Sequence, residues 1–232
     1  MIAVLVAAGS SRRMGFDKLM ANVEGRPVLA HALLAFEQCP EVERIVLVGR
    51  EDRLAEFRAV AEECGIGKMS AMVPGGTERH FSVWNGLEAA ALEPGDFVAV
   101  HDAARPLITP GEITRCLELA RETGAAVCAA PVADTLKRAT PEGRVGESVS
   151  RENLWAMQTP QIFLAGLLRR AYNEVLRTGA LVTDEVSALQ FLGEPVALHP
   201  HYEPNFKITF PRDIELARLV LAAREGNRNQ DS

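Results

Sequence analysis

The sequence has few cysteines, few aromatic residues and no excess of positive charge. Its four cysteines are widely separated and show none of the paired spacings that mark a zinc site or a disulfide framework. The formal net charge is −6, whereas general nucleic-acid binding needs a broad basic face, so we expect no nucleic-acid partner. An anionic ligand would therefore have to meet Lys and Arg side chains that cluster locally.

The sequence also lacks an apolar run long enough to cross a bilayer. Residues 2–8 are apolar, but the run is short and no basic residue precedes it, so it predicts a strand and not a signal peptide. Hydrophobic residues make up 47% of the chain and charged residues 24%, which is typical of globular proteins. We therefore expect one cytoplasmic domain over residues 1–232, with no membrane partner.

Short β-branched runs alternate with longer segments of helical period. Five runs that are mostly apolar on both faces predict strands, at residues 2–7, 44–48, 68–73, 97–101 and 125–130. The segments between them predict helices, at residues 28–39, 52–64, 78–91 and 110–123. This alternation predicts an α/β fold with a doubly wound, mostly parallel sheet.

The alternation stops after Pro131, where a polar segment predicts a protruding β-arm at about residues 133–152. Two short alternating stretches, residues 135–139 and 144–149, would form its strands. Beyond the arm, the pattern predicts helices at 165–177, 184–192 and 211–224 and strands near 196–199 and 206–209. Because open parallel sheets bind ligands at the carboxyl ends of their strands, the loops after the strands are the places to look for function.

The loop after the first predicted strand, residues 7–18, carries three cations among small residues. Small residues let backbone N–H groups approach an anion, and Arg13 and Lys18 could then supply charge to a polyphosphate. The loop has neither the Gly-Lys-Ser/Thr phosphate motif nor the three-glycine dinucleotide fingerprint, so kinase and dehydrogenase functions lose their main support. The alternative for this loop alone is a solvated basic surface.

A second loop carries the paired glycines Gly75 and Gly76 just before a predicted helix. Glycines would allow the backbone to approach a base or a ribose closely, and Thr77 is predicted to cap the helix. An ordinary turn with a helix N-cap is the simpler interpretation of this loop by itself.

The string His101-Asp102-Ala103-Ala104-Arg105-Pro106 ends an apolar predicted strand and is the most informative motif. An Asp at this position, facing a polyphosphate, is well placed to hold Mg²⁺, which prefers a few carboxylates together with phosphate oxygens. The alternative is a structural ion pair between Asp102 and Arg105. We interpret His101 as a buried packing residue.

Lys207 lies in the middle of an otherwise apolar predicted strand. An unpaired ammonium group would be costly there unless it faced an anion or a cavity, which makes Lys207 a candidate site residue. Thr135 and Arg151 lie at the two ends of the predicted arm, where isolated Thr and Arg residues usually belong to the surface.

Taken together, these motifs resemble those of the 2-C-methyl-D-erythritol 4-phosphate cytidylyltransferases of the non-mevalonate isoprenoid pathway. The resemblance runs in order from Ala7 to Thr209, so it covers nearly the whole chain. Besides the string at residues 101–106, it rests on these matches: Asp134-Thr135-Leu136-Lys137, Arg151, Thr183-Asp184-Glu185 and Asn205-Phe206-Lys207-Ile208-Thr209. Each match is weak alone, but the ordered set is specific.

The resemblance implies which residues bind CTP. Six small or hydroxyl-bearing residues would contact its cytidine part: Ala7, Ala8, Gly9, Gly76, Thr77 and Ser82. Arg13 and Lys18 would grip the triphosphate. Lys207 would reach the reacting phosphates, and Asp102 would hold Mg²⁺.

The resemblance also implies an acceptor and an assembly. Arg105, Thr135 and Arg151 would help to place 2-C-methyl-D-erythritol 4-phosphate, the phosphate that receives the cytidylyl group. The arm of one subunit would contribute to its partner's site, so a homodimer is implied. This sequence departs from the family in its first loop, which is shorter than usual and lacks the Pro-Lys-Gln that commonly carries the Lys.

Three other functions remain open on the sequence. A cytidylyltransferase for ribitol 5-phosphate or another polyol phosphate would use the same loops. A sugar-phosphate or molybdopterin nucleotidyltransferase would share the fold but prefer another base. A non-catalytic nucleotide-binding regulator is the alternative outside enzymes, although binding alone would not require cations on both sides of the α-phosphate.

Overall fold

The structure is a computed structural model that describes residues 1–9 and 14–228. Its strands, in chain order, are β1 (Ile2–Ala7), β2 (Asn22–Val23), β3 (Arg26–Pro27), β4 (Arg44–Gly49), β5 (Met69–Pro74), β6 (Phe97–Asp102), β7 (Ala125–Pro131), β8 (Leu136–Ala139), β9 (Val145–Val149), β10 (Trp155–Leu164) and β11 (Ala197–Pro200). Seven of them form one sheet in the order β11-β7-β10-β6-β1-β4-β5, while β2 pairs with β3 and β8 pairs with β9.

Along the chain, most of the α-helices lie in the segments that connect strands of the large sheet. In chain order they are α1 (Val28–Glu37), α2 (Leu54–Glu63), α3 (Arg79–Ala89), α4 (Pro110–Thr123), α5 (Ala165–Thr178), α6 (Glu185–Phe191) and α7 (Pro211–Arg228), with 3-10 turns at Lys18–Met20 and Glu51–Arg53. Within the described ranges, no helix is long and apolar enough to cross a membrane.

Helices cover both faces of the sheet, and β1 shows why its sequence is almost wholly apolar. Ala3 and Leu5 belong to the core formed with α1, α2, α4 and α7, whereas Ile2 and Val4 belong to the core formed with α3, α5 and α6. Because β1 also pairs in parallel with β4 and β6, it is buried on every side. The predicted α/β fold with a doubly wound, mostly parallel sheet is confirmed.

Helix α4 shows how local sequence sets the bounds of an element. The side chain of Thr109 accepts a hydrogen bond from the backbone N–H of Glu112, and Pro110 fits the first turn because it needs no hydrogen-bond partner there. At the other end Gly124 adopts φ +83°, a left-handed conformation that favours glycine. These signals are all local, and the predicted bounds 110–123 are the observed ones.

Strand β10 is the strand of the large sheet that the sequence pattern missed. It runs antiparallel between β6 and β7, and its register shifts between Met157 and Gln161. Pro160 has no N–H to donate to a neighbouring strand, and two glutamines interrupt the apolar pattern, so the segment does not resemble a central strand in sequence. Strand β10 still pairs because its irregular stretch, between Met157 and Gln161, lies between the regular strands β6 and β7.

The predicted strand at residues 206–209 is wrong, because this segment pairs with no strand within the described ranges. Hydrogen bonds to neighbouring segments hold it and the adjoining Asn205 instead. The N–H of Ile208 donates to the carbonyl of Ala104 at 2.8 Å, Arg105 donates to the carbonyl of Asn205 at 2.8 Å, and the N–H of Thr209 donates to Asp213 at 2.7 Å. Lys207 therefore lies on an irregular segment packed against the loop that follows β6.

The predicted β-arm is present as the two-stranded hairpin β8–β9. Throughout residues 133–152, all of which the structure describes, side chains are exposed or half-buried. Val145 is 79% exposed. The arm therefore contributes nothing to either core of the protomer.

Candidate active site

A cavity of about 510 Å³ opens at the carboxyl ends of β1, β5 and β6. Its volume is in the range of small-molecule sites. Nine of the predicted site residues line it: Ala7, Ala8, Gly9, Lys18, Gly76, Thr77, Ser82, Asp102 and Lys207. Arg13 lies outside the described residues. The fold therefore brings together loops that are up to two hundred residues apart in sequence.

The paired glycines form a tightly packed wall of this cavity. A Cβ atom on Gly75 would lie 2.4 Å from Cβ of Ala8, and one on Gly76 would lie 2.3 Å from Cβ of Phe81, distances that real Cβ contacts do not reach. Ser82 holds the turn, since its hydroxyl accepts from the N–H of Gly76 at 3.1 Å and donates to the carbonyl of Glu78 at 3.1 Å. The loop is thus held by its own packing and hydrogen bonds.

The sequence predicted that Thr77 caps α3, and this prediction is wrong. Glu78 occupies the N-cap position of α3 and makes no capping hydrogen bond with its side chain. The helix therefore begins one residue later than a Thr77 cap would require, and Thr77 faces the cavity instead.

Lys18 reaches the cavity although the first loop is short. Its Nζ donates to the backbone carbonyl of Ile208 at 2.7 Å, and Asp17 caps the 3-10 turn that carries Lys18 by accepting from the N–H of Leu19. Because Ile208 follows Lys207 directly, this contact places two lysines of distant sequence at the same cavity.

A group of four side chains, here called the charged cluster, consists of Arg79, Asp102, Glu185 and Lys207. Nζ of Lys207 lies 2.7 Å from Oδ2 of Asp102, and the guanidinium of Arg79 contacts Asp102 at 3.2 Å and Glu185 at 2.7 Å. Burial raises the pKa of Asp102, but the charges of Arg79 and Lys207 outweigh it and hold that pKa well below its ordinary value. Asp102 is therefore a carboxylate at every physiological pH.

A smaller cavity of about 220 Å³ adjoins the first, and Arg79, Asp102 and Lys207 line both. Arg105 lines only the smaller one. Its Nη1 donates to the carbonyl of Asn205 at 2.8 Å, and its buried Nε has no partner among the described residues. The alternative of an Arg105–Asp102 ion pair is not what forms, since Asp102 pairs with Arg79 and Lys207.

His101 is buried beneath the site, as the sequence had predicted. Nδ1 lies 3.1 Å from the hydroxyl of Thr159 and Nε2 lies 3.2 Å from the carbonyl of Arg105, while the ring packs on Phe36. Burial lowers the pKa of His101 to about 4. The ring is neutral at pH 7 and lines neither cavity, so it is not placed to transfer a proton.

The structure does not bring Thr135 and Arg151 to the cavities of their own protomer. Both side chains are exposed, and Arg151 donates to the carbonyl of Ala133 within the arm. Neither residue lines either cavity. The arm and the cavities are therefore separate features of the single protomer.

Comparison with known proteins identifies the family. The model of the 2-C-methyl-D-erythritol 4-phosphate cytidylyltransferases matches residues 1–223. A relative of that name from Dehalococcoides mccartyi is 42% identical over 220 residues, which span 94% of this chain and 95% of the relative. The chain belongs to the 2-C-methyl-D-erythritol 4-phosphate cytidylyltransferase family.

Solved structures agree with membership in the cytidylyltransferase family. The 4-diphosphocytidyl-2C-methyl-D-erythritol synthase from Anaerococcus prevotii superposes with a TM-score of 0.81 at 29% identity, over 95% of each chain. The 2-C-methyl-D-erythritol 4-phosphate cytidylyltransferase from Thermus thermophilus gives a TM-score of 0.76 at 34% identity, over 94% of this chain and 97% of the other. The predicted resemblance to this family is confirmed.

Sequence reasoning gave no role to two members of the charged cluster of this cytidylyltransferase-family protein, Arg79 and Glu185. Glu185 stands inside the motif at residues 183–185, Arg79 follows the loop of the paired glycines, and each is the first residue of a helix. A charged residue at a helix start beside a motif was the available signal. Nothing in the sequence shows that two residues 106 positions apart pair with each other.

Proposed function

We propose that this protein transfers CMP from CTP to 2-C-methyl-D-erythritol 4-phosphate, giving 4-diphosphocytidyl-2-C-methyl-D-erythritol and pyrophosphate. The observation that carries the proposal is the cavity at the strand ends, where a rigid glycine loop faces Lys18, Lys207 and Asp102. Membership in the cytidylyltransferase family supports both substrates. A cytoplasmic location remains a prediction.

The nucleotide would occupy the larger cavity. Its cytidine would lie against the backbone of Ala7, Ala8 and Gly9 and the turn at Gly76 and Thr77, where the absence of long side chains permits close approach. Ser82 would act by holding that turn, since its hydroxyl is engaged by the turn itself. Lys18 and Arg13 would neutralise the triphosphate.

The donor set fits a Mg²⁺ ion that arrives with the nucleotide. Among the described residues no group of three or more His, Cys, Asp or Glu could hold a metal, so the protein offers no closed cage, and Asp102 is the carboxylate that lines both cavities. Mg²⁺ commonly binds through one or two carboxylates and takes its other ligands from phosphates and water. When bound, the ion would offset charge on the phosphates.

The transfer requires no general base. The acceptor phosphate, with a second pKa near 6, is already largely dianionic at neutral pH, so one of its oxygens can attack the α-phosphorus of CTP directly. A new P–O bond forms while the bond to the β-phosphate oxygen breaks, and pyrophosphate leaves with the electron pair. The barrier is repulsion between anions, which Lys207 and Lys18 would lower by holding positive charge at the reacting phosphates.

The acceptor would occupy the smaller cavity beside Arg105. Thr135 and Arg151 would reach it from the arm of a partner subunit in a homodimer, because the arm of the same protomer lies away from the cavities. An exposed two-stranded hairpin is marginally stable by itself, which favours an arm that packs on a second chain.

The test is pyrophosphate release with CTP and Mg²⁺ in parallel reactions with 2-C-methyl-D-erythritol 4-phosphate, with ribitol 5-phosphate and with no acceptor. We expect release only with methylerythritol phosphate. Release with ribitol 5-phosphate alone would keep the site and replace the acceptor. No release with either acceptor would contradict the proposal and favour a nucleotide-binding regulator.

The proposed role of Mg²⁺ has its own test. With excess chelator we expect pyrophosphate release to stop, and with Asp102→Asn we expect it to need a higher Mg²⁺ concentration, because one negative ligand is lost. Full turnover in chelator would refute the metal requirement. A normal Mg²⁺ dependence in Asp102→Asn would remove Asp102 as the ligand.

A further inference from the structure

Arg79 occupies a junction between the parts of the site. It is the first residue of α3 and follows directly on the loop with the paired glycines. Its side chain lines both the larger cavity and the smaller one. A change at Arg79 would therefore reach the nucleotide side and the acceptor side together.

Each nitrogen of the Arg79 guanidinium donates to a carboxylate of the protein. Nε and Nη2 donate to Oδ1 of Asp102 at 3.3 and 3.2 Å. Nη1 and Nη2 donate to Oε1 and Oε2 of Glu185 at 2.7 and 3.0 Å, which is a two-pronged contact. These bonds fix the orientation of the guanidinium.

The two carboxylates that Arg79 joins belong to different walls of the site. Asp102 ends β6, whereas Glu185 begins α6 and is wholly buried, with a third hydrogen bond from the hydroxyl of Tyr172 at 2.9 Å. Thr183 and Asp184, the residues just before Glu185, line the smaller cavity. Arg79 therefore ties the glycine loop, the end of β6 and the acceptor-side wall together.

Removing this tie would disturb the reacting groups. Glu185 would be left as a buried carboxylate without a cation, which is strongly unfavourable. Asp102 would keep only Lys207 as a partner, so the ammonium of Lys207 would be drawn more tightly to Asp102 and away from a phosphate. Both effects change positions and charges at the place where transfer occurs.

We infer that Arg79 is a positioning residue: it aligns Asp102 and Lys207 with the reacting phosphates and holds the acceptor-side wall against the nucleotide loop, while binding no phosphate itself. The inference rests on the proposed function, because it concerns the transfer step at the same site.

The test compares steady-state constants of Arg79→Gln, Arg79→Lys and the unaltered protein. We expect kcat to fall about a hundredfold in Arg79→Gln, because a misplacement of about 1 Å has an effect of that size. In Arg79→Lys we expect a loss of about tenfold, because the charge stays while the fork is lost. The KM for CTP should change by less than about threefold in both variants, as expected when a residue acts on the transition state.

Arg169→Gln is a matched control. Nη2 of Arg169 donates to Oε1 of Glu88 at 3.2 Å, so this pair links α5 to the opposite end of α3 and lines neither cavity. We expect its kcat to stay within about twofold of the unaltered value. Unfolding curves of all variants show whether they fold, and if Arg79→Gln does not, Arg79→Lys and Glu185→Gln provide the same measurement.

The possible outcomes separate this inference from the proposed function. An unchanged kcat in Arg79→Gln, with the unaltered protein active, would overturn the inference alone. A raised KM for CTP with normal kcat would also overturn it, since Arg79 would then be a nucleotide ligand. An equal loss of kcat in Arg169→Gln would also overturn it, because the loss in Arg79→Gln would then reflect general destabilisation. No turnover by the unaltered protein would overturn both.

Discussion

The charged cluster and the arm carry residues of the same proposed site, but they are built in opposite ways. In the charged cluster, buried carboxylates and two cations contact one another over 2.7–3.3 Å, so the side chains are oriented within a single protomer. In the arm, Thr135 and Arg151 are exposed and lie at neither cavity. The comparison shows that the charged cluster is organised within one protomer, whereas the arm residues are not brought to the cavities of their own chain.

The largest effect is expected from removing a cation of the charged cluster. Lys207→Ala should lower kcat about a hundredfold to a thousandfold with a modest change in the KM for CTP, because a preorganised charge at the reacting phosphates is lost. Lys68→Ala, which removes a lysine that donates to the carbonyl of Cys39 and lines neither cavity, is the matched control. Near-normal kcat in Lys207→Ala would remove Lys207 from the mechanism. It would also contradict the contrast between the charged cluster and the arm.

The next effect concerns pH and the buried ring beneath the charged cluster. The pKa of His101 is lowered from 6.5 to about 4, so its neutral form stabilises the fold above pH 6.5 and this contribution is lost as pH falls toward 4. The loss should reach about 3 kcal/mol in the free energy of unfolding. Denaturant unfolding at pH 7, 5.5 and 4.5 should show a shallower decline in His101→Asn. Equal declines would contradict the assigned pKa.

A smaller effect is expected from the arm. Arg151→Ala should raise the KM for methylerythritol phosphate about tenfold, the usual effect of losing a hydrogen bond to a charged group, and should leave the free energy of unfolding unchanged. Steady-state kinetics at several acceptor concentrations measure this change.

A hybrid dimer sharpens the same prediction. One chain carries Lys207→Ala and keeps its arm, and the other carries Arg151→Ala and keeps its cavity. If arms are exchanged, one of the two sites is intact, so at an acceptor concentration well below the KM the purified hybrid should show about half of the unaltered activity. Activity no higher than the average of the two variants would place each arm at its own protomer's site.

The smallest effect is expected from the ion pair on the arm. Arg138 and Glu147 are 69% and 73% exposed, so Arg138→Gln should change the free energy of unfolding by less than about 0.5 kcal/mol. The same unfolding measurement on Glu185→Gln, whose carboxylate is wholly buried, should show a loss several times larger. Equal losses would mean that the exposed ion pair of the arm contributes as much to the free energy of unfolding as the buried carboxylate of the charged cluster.

Much of the fold could be predicted because its signals are local. The apolar run at Ile2–Ala7 and the capped helix Pro110–Thr123 have the predicted bounds, since burial on both faces and end capping are written in adjacent residues. The order of the loop motifs was also enough to identify the family. Periodicity and capping act over a few residues, so the sequence by itself determined these features.

Tertiary structure decided the pairings between distant segments. Strand β10 is inserted antiparallel between β6 and β7 despite Pro160, and Lys207 is positioned by an irregular segment where a strand had been predicted. Arg79 contacts Glu185 because the fold brings the first residues of α3 and α6 together. Such contacts depend on packing over long sequence separations, and no local pattern of residues encodes which charged groups will meet there.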